Sequence, residues 1–517
     1  MRDVFAREVY NNLPRLLSLI DTDDTSESYG LGDRYYWAWG LTDFGNATFQ
    51  GMAHGLSLLW IGNKWPYETD PQLFLDRIDA LFIGTKKLTR LDGSLEEAFP
   101  NEGSYCVTAL VAFDLLRTYS LLREEINDEL AQSWLATIRP LIKYLKNADE
   151  HHALISNHLA TASAALFCWH ELISDVQAFA KAEILLARVL QNQSDEGWFV
   201  EYGGADPGYE SLCLHYLTDI YRSNPDERLR RAIENSMSFL SYCMHPDGSF
   251  SGNYGNRYTR FIYPSSFYKF RGEISYAEKF LAPISESISN NAVVSLSCID
   301  EPNFIPLFNS YCMALTSYDK FSEIIPENAE KLPCNSELNF TKIFPSAGLL
   351  FDKGDRHYTV VALKRGGAFY HFVDGYLKNK CLGLIIKKNT KEIYCNHHSS
   401  SINFDKQNNT ITIESDFRKQ KKRLPKPWQF FILRLACMTM FRIRLVREII
   451  KSFLVWLLIS QRESGVGSNT RIIKLGENLS VKDNLSIPKK FIQIQPKQAV
   501  VPIHMASKGY WQIQDEN

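Results

Sequence analysis

Asn157 and His158 follow a stretch holding two more histidines, "DEHHALISNH" (149–158). An imidazole titrates near neutral pH and can move a proton, and an amide can hold a carboxylate. A zinc site would need spaced ligands such as HExxH, which are absent, so neither a metal nor another cofactor is expected. Fifty residues on, "EYGGADPGYE" (201–210) supplies Glu201, Tyr202 and Tyr209. In this loop Asp206 can cap a following helix and Pro207 suits its first position. Gly203, Gly204 and Gly208 permit positive φ or close approach of the backbone to a ligand. A third cluster, "NYGNRYTRFIYP", adds Arg257, Tyr258 and Arg260, and "GDRYYWAWG" adds Arg34 with Trp37 and Trp39 as sugar platforms. A planar guanidinium suits a carboxylate or sulfate, or else pairs with Glu201, Asp206 or Glu210. Plainer roles compete: a histidine at a helix start is often a cap or surface residue, and a tyrosine at a cavity mouth often only packs.

As one set, these types fit proton abstraction beside a carboxylate, as in β-elimination at a uronic acid. Asn or Arg would neutralise the carboxylate, and His or Tyr would remove the C5 proton. A tyrosine, with a reference pKa near ~10, needs cationic neighbours to serve as base. A tyrosine acid would then protonate the leaving oxygen.

Elements must bring these clusters together, and an internal repeat shows how. "DGSLEEAFPNEGSYCVTAL" (92–110) lies over "EGWFVEYGGADPGYESLCL" (196–214), matching Gly93 to Gly197, Glu97 to Glu201 and Tyr105 to Tyr209. A third copy begins at Asp247. The polar residues read as opening each unit are Asn46, Asn101, Asn157, Asp206, Arg257 and Asn309, about fifty residues apart. Amphipathic patterns such as "AQSWLATIRPLIKYL" lie between them. Units of this size each hold a helical hairpin, and six of them can close into a ring with all the openings at one cleft.

From about residue 340 short β-rich runs replace the helices, among them "HYTVVALKR", "NTITIESDF" and "GYWQIQ". The expected fold is α+β and multidomain: an N-terminal (α/α)6 toroid of six hairpins over 1–335, the candidate catalytic domain, then a C-terminal antiparallel β-sandwich over 336–517. Within the latter, 424–463 is a basic amphipathic helical insertion. Arginines interrupt it too often for a bilayer span. It either lies on an anionic membrane surface or packs on the toroid with its arginines on acids there.

The 517 residues are 45% hydrophobic and 22% charged, which excludes a disordered chain. The net charge of −2 conceals a basic stretch, Arg418 to Lys451, with eleven Lys/Arg and one acid. The rest is acidic, so no nucleic-acid partner is expected. Ten scattered cysteines and an N-terminus without a secretory pattern point to free thiols and a cytoplasmic protein, with peripheral contact to the inner membrane through 418–463 left open. The sequence carries no reading of the oligomeric state.

"ISNHLATASAAL", "EGWFVEYGGADPGYESLCLHYL", "HPDGSFSGNYGNRYTRF" and "FPSAGLLFDKGDRHYTVVALKRGGAF" resemble the heparinase II/III-like proteins, polysaccharide lyases with an α/α toroid followed by a β-sandwich. The likeness is clearest over 150–270 and 343–370. It implies an acidic polysaccharide or oligosaccharide as partner, carboxylate binding by Asn157 and proton exchange by His158 and Tyr209. Where the family's sandwich carries a histidine-rich strand, this chain has "RGGAFYHFVDG" with His371. A cytoplasmic member would act in making or modifying an exported polysaccharide such as an exopolysaccharide or capsule. Three alternatives stay open: a uronate C5-epimerase, which shares the first step; a glycoside hydrolase using a pair among Glu97, Glu201, Asp206 and Asp247; and a non-catalytic glycan-binding component of an assembly machine.

Overall fold

Apolar residues on every side of "YCVTALVAFDLLRTYSLL" demand a helix buried all round, whereas "DELAQSWLATIRPLIKYLKN" is apolar on one face. The computed structural model, which describes residues 2–38, 40–150, 154–317, 331–388, 392–420, 426–455 and 465–494, places them accordingly. The first is α5 (Tyr105–Leu122) of an inner layer and the second is α6 (Asp128–Asn147) of an outer one.

The inner layer comprises α3 (Met52–Ile61), α5, α7 (Ser156–Ile173), α9 (Pro207–Ser223), α11 (Ser265–Lys269) and α13 (Glu301–Ser317). Each packs on the next, and α13 returns to α3. Around them run α4 (Pro71–Leu88), α6, α8 (Val176–Gln191), α10 (Glu227–Ser241), α12 (Ser275–Ser289) and α1 (Arg2–Leu17). Phe82 of α4 stacks on Trp134 of α6, with ring centroids 4.2 Å apart. A short α2 (Arg34–Trp37) precedes the ring.

The repeat is visible in the backbone. Gly93, Gly197 and Gly248 all have positive φ, and each N–H bonds the carbonyl three residues back, at Arg90, Ser194 and His245. The expected openings need correcting in part. Asn46 and Asp206 do cap, the former a 3-10 turn that runs into α3. Asn157, however, sits inside the first turn of α7, and α5 is capped by Ser104 rather than Asn101. Arg257 lies in a loop eight residues before α11, and Asn309 is in the middle of α13. The fifth inner helix is thus a five-residue stub, because "NYGNRYTRFIYP" turns inward to meet the loops before α7 and α9. The outer partner of α13 is α1, from the other end of the chain.

The strands form two antiparallel sheets. β1 (Phe340–Phe344), β2 (Leu349–Lys353), β3 (His357–Ala362), β4 (Ala368–Val373) and β5 (Tyr376–Cys381) pair in sequence order. The second sheet has the order β10-β9-β8-β7-β6-β11. Its strands are β6 (Ile385–Lys387), β7 (Ile393–Asp405), β8 (Thr410–Lys419), β9 (Ser468–Lys474), β10 (Ser480–Ser486) and β11 (Ile492–Ile494). Leu350, Val361 and Phe369 share one apolar cluster with Ile411, Ile413 and Ile473, so the two sheets bury a common core. The other face of the first sheet packs on the helices: Phe344 and Phe351 meet Tyr242 edge-on or tilted. The insertion forms α14 (Pro427–Met438) and α15 (Arg444–Val455) between β8 and β9. The expected "GYWQIQ" strand lies outside the described residues. All ten cysteines are free thiols.

Candidate functional site at the mouth of the helical ring

The first turns of α5, α7 and α9 meet at one end of the ring, bringing Cys106, His158 and Tyr209 together. Their free N–H groups add partial positive charge there. At the far ends of these helices, buried Asp219 takes Arg117 and Lys269, with Glu171 also on Arg117, so ion pairs fill the ring away from the mouth.

The loop 199–206 is held locally. Glu201 forms short bridges with Ile155 and Gly204, and the Ser156 N–H donates to Val200. Gly203 and Tyr202 both have positive φ, a costly conformation for a tyrosine, which turns the chain sharply. Asp206 then caps α9 through the Tyr209 N–H, 3.3 Å away, with Pro207 as its first residue. Asp206 also accepts from the Arg257 N–H at 2.6 Å and from the Thr259 hydroxyl. It is fully buried with its hydrogen bonds internal, which suits a structural carboxylate.

Glu201 is the hub. The Asn157 amide donates to its Oε2 and the Arg257 Nη1 to its Oε1, both at 2.7 Å. All three are buried. Burial pushes the Glu201 carboxyl up, against the pull of Arg257 and His158. Arg257 lies 4.0 Å over the ring of Tyr209 and 5.1 Å over that of Tyr202. Burial raises Tyr209 to about 12 although Arg257 opposes it, so the phenol is neutral at neutral pH. Among the described residues nothing hydrogen-bonds its hydroxyl.

His158 places Nδ1 2.9 Å from the buried carboxylate of Glu150. Burial opposes a charged ring, but Cys106 and Glu150 outweigh it and hold His158 well above the ordinary histidine value. The resting ring is therefore an imidazolium: a cation and a proton donor.

A second wall comes from the sheets. Asn256 donates to the Glu201 carbonyl at 2.6 Å and accepts from Arg365 at 3.0 Å. Arg365, in the β3–β4 turn, sits 4.7 Å over the ring of Tyr258, which is buried with positive φ. The Tyr258 hydroxyl lies 3.1 Å from Nδ1 of His397 on β7. Burial first, then the nearby Arg365 and His398, lower His397 to about 3, so it is neutral. Two histidines near one mouth are thus pushed in opposite directions, a pattern that separates proton donors from acceptors. Along this seam the buried atoms Ser251 Oγ, Asn253 Oδ1, Arg257 Nε, Arg365 Nη1 and His397 Nε2 have no protein partner among the described residues. Buried polar atoms are normally satisfied, so such a row suits a ligand rich in hydroxyl and carboxylate oxygens.

The structure thus gathers Asn157, His158, Glu201, Tyr202, Tyr209, Arg257 and Tyr258. Arg260 stands apart: its carbonyl accepts from Val294 and its charge acts on His245. Arg34 is exposed and stacks on Trp37, 4.9 Å from the ring. Trp37 itself donates to the Leu19 carbonyl. Trp39, His151 and His152 lie outside the described residues. His371 bonds Thr359 and the Glu477 carbonyl, and His397 is the histidine that approaches the mouth. Glu150, Cys106, Arg365 and His397 escaped the sequence reading. Only the paired histidines of "CNHHSS" offered a signal for any of them. Of the carboxylates considered for hydrolysis, Asp247 serves its own turn through Ser249, and Glu97 accepts from Ser104.

Comparison with solved structures places this geometry in a known architecture. The chain is similar to a chondroitin AC lyase of Streptomyces coelicolor (TM-score 0.52, 11% identity, 81% of this chain and 67% of the other). It is also similar to a Paenibacillus xanthan lyase (TM-score 0.50, 10% identity, 81% of this chain and 46% of the other). This chain has a polysaccharide-lyase-like α/α-toroid fold with β sheets. At such identities the likeness concerns the fold alone, and the chain spans less than half of the xanthan lyase. A cellobiose 2-epimerase from Bacillus thermoamylovorans overlaps 61% of the chain at 14% identity and TM-score 0.45. No family model and no curated protein matches the sequence.

Proposed function

We propose that this protein acts on a uronic-acid-containing polysaccharide and cleaves it by β-elimination, on a toroid of six helical hairpins backed by a β-sandwich, as in heparinase II/III-like proteins. The observation that carries the reading is Tyr209: a phenol whose hydroxyl has no hydrogen-bond partner among the described residues, held under the Arg257 guanidinium at the mouth that also carries the cationic His158.

In this reading the His158 imidazolium and the second amide hydrogen of Asn157 take the uronate carboxylate and acidify the C5 proton. Glu201 holds Asn157 and Arg257 in place. Tyr209 rests as a neutral phenol; once its proton has left to solvent, the tyrosinate that Arg257 favours accepts the C5 proton. The C5–H electrons form the C4–C5 double bond, the C4–O bond breaks, and the leaving oxygen takes the proton. His158 acts as a cation rather than the resting base, since it is already protonated. The unpartnered atoms near Arg365 and His397 bind neighbouring sugar oxygens. The place of action is cytoplasmic, in making or modifying an exopolysaccharide or capsule.

The test is ultraviolet absorbance of the unsaturated uronate, with purified protein and a panel of uronic-acid polysaccharides. A rise that Tyr209→Phe and His158→Ala both abolish supports elimination. A flat trace on every substrate sinks it. Solvent deuterium entering at C5 would then mark an epimerase, new reducing ends a hydrolase, and saturable binding alone a glycan-binding component.

A further inference from the structure

The helical insertion turns Arg434 and Arg447 inward and a row of apolar side chains outward. Arg447, 1% exposed, places Nη2 3.1 Å from Asp92 and Nη1 3.5 Å from the Asn101 carbonyl. Arg434 pairs with Asp43 at 2.9 Å, Asn101 donates to the Cys437 carbonyl at 2.8 Å, and Phe441 packs on Phe99. These contacts fasten α14 and α15 to the ring. On the outside, Trp428, Phe431, Leu435, Met438, Leu445 and Ile449 are each more than half exposed. Soluble surfaces rarely carry so large an apolar run, which marks an interaction face.

We infer that the outer face of α14–α15 docks on an anionic lipid surface. Charge argues for that occupant: Lys426 is exposed just before α14 and Arg442 between α14 and α15, within a stretch of eleven basic residues and one acid. Short amphipathic helices with Trp, Phe and Leu on one side and flanking cations lie in the headgroup–acyl boundary. Twelve residues long, α14 does not reach across a bilayer. The fastening points Asp92, Phe99 and Asn101 belong to the loop leading into α5, whose first turn carries Cys106 beside His158. Docking therefore sets the rim of the mouth against the headgroups. This inference does not depend on the reaction performed there.

Flotation of the full chain with phosphatidylcholine vesicles, with and without phosphatidylglycerol, tests it. The protein floats with the anionic vesicles, less so as salt rises. The double variant Phe431→Asp/Ile449→Asp floats ~10-fold less, whereas Tyr376→Asp, at an exposed position on β5, floats as the parent does. Circular dichroism melting shows that the variants remain folded, and Leu445→Ser gives a milder second reduction. No flotation with anionic vesicles, equal flotation with neutral ones, or an unaffected double variant overturns the inference. So does a dimer in light scattering that the double variant disperses while no vesicle binds.

Discussion

The guanidinium of Arg257 lies 4.0 Å over the Tyr209 ring while its Nη1 donates to Glu201 at 2.7 Å. One buried cation therefore neutralises a carboxylate and faces a phenol. Neither contact is local: Arg257 is 56 residues from Glu201 in the chain.

Removing that cation strands a buried charge. Arg257→Met should destabilise the fold by ~3–5 kcal/mol, because Glu201 loses its counter-ion inside the protein. Arg257→Met/Glu201→Gln should recover part of the loss. Urea unfolding of the single and double variants measures the coupling; purely additive effects would refute it.

The His158–Glu150 pair should make stability fall in alkali. The folded pKa of His158 is raised, so its contribution is complete below the unfolded value of ~6.5 and disappears as pH climbs through the folded value. Glu150→Gln should flatten this slope and bring the imidazole NMR titration of His158 down. An unchanged titration would remove Glu150 as a cause.

Acid should act through other histidines. Burial lowers His54, His215 and His397 each to about 3. Their neutral forms stabilise the fold fully above ~6.5, and that stability drains away as pH falls towards the folded values. Unfolding near pH 5 should take up extra protons, each proton steepening the fall by ~1.4 kcal/mol per pH unit. His54→Gln and His397→Gln should each reduce the proton uptake seen by calorimetry in different buffers.

Arg447 should govern how firmly the insertion is fastened. Burial would raise Asp92, yet hydrogen bonds from Ser94 and Arg447 hold it below the ordinary carboxylate range. Arg447→Met should leave the ring folded and speed protease cleavage within α14–α15. Unchanged cleavage would mean that Phe441 and Asn101 suffice.

What was legible in the sequence is what short-range physics writes there. The cap at Asp206 and the proline after it act within three residues, and the recurring glycine turns at Gly93, Gly197 and Gly248 rest on a local positive φ. Helical periodicity likewise marked segments such as "AQSWLATIRPLIKYL" as amphipathic helices. Boundaries failed where distant packing intervened: the loop carrying Arg257 turns inward to Glu201, and only a stub of helix remains.

Charge states lay beyond the sequence altogether. Nothing in "SNH" or "NHH" says that His158 is held protonated and His397 neutral. Those states follow from burial and from neighbours contributed by other elements, Cys106 on α5 for one and Arg365 on the β3–β4 turn for the other. The insertion shows the same division. Its amphipathic pattern is plain in the residues, but only the ring's Asp43 and Asp92 decide that Arg434 and Arg447 face inward and the aromatic side faces out.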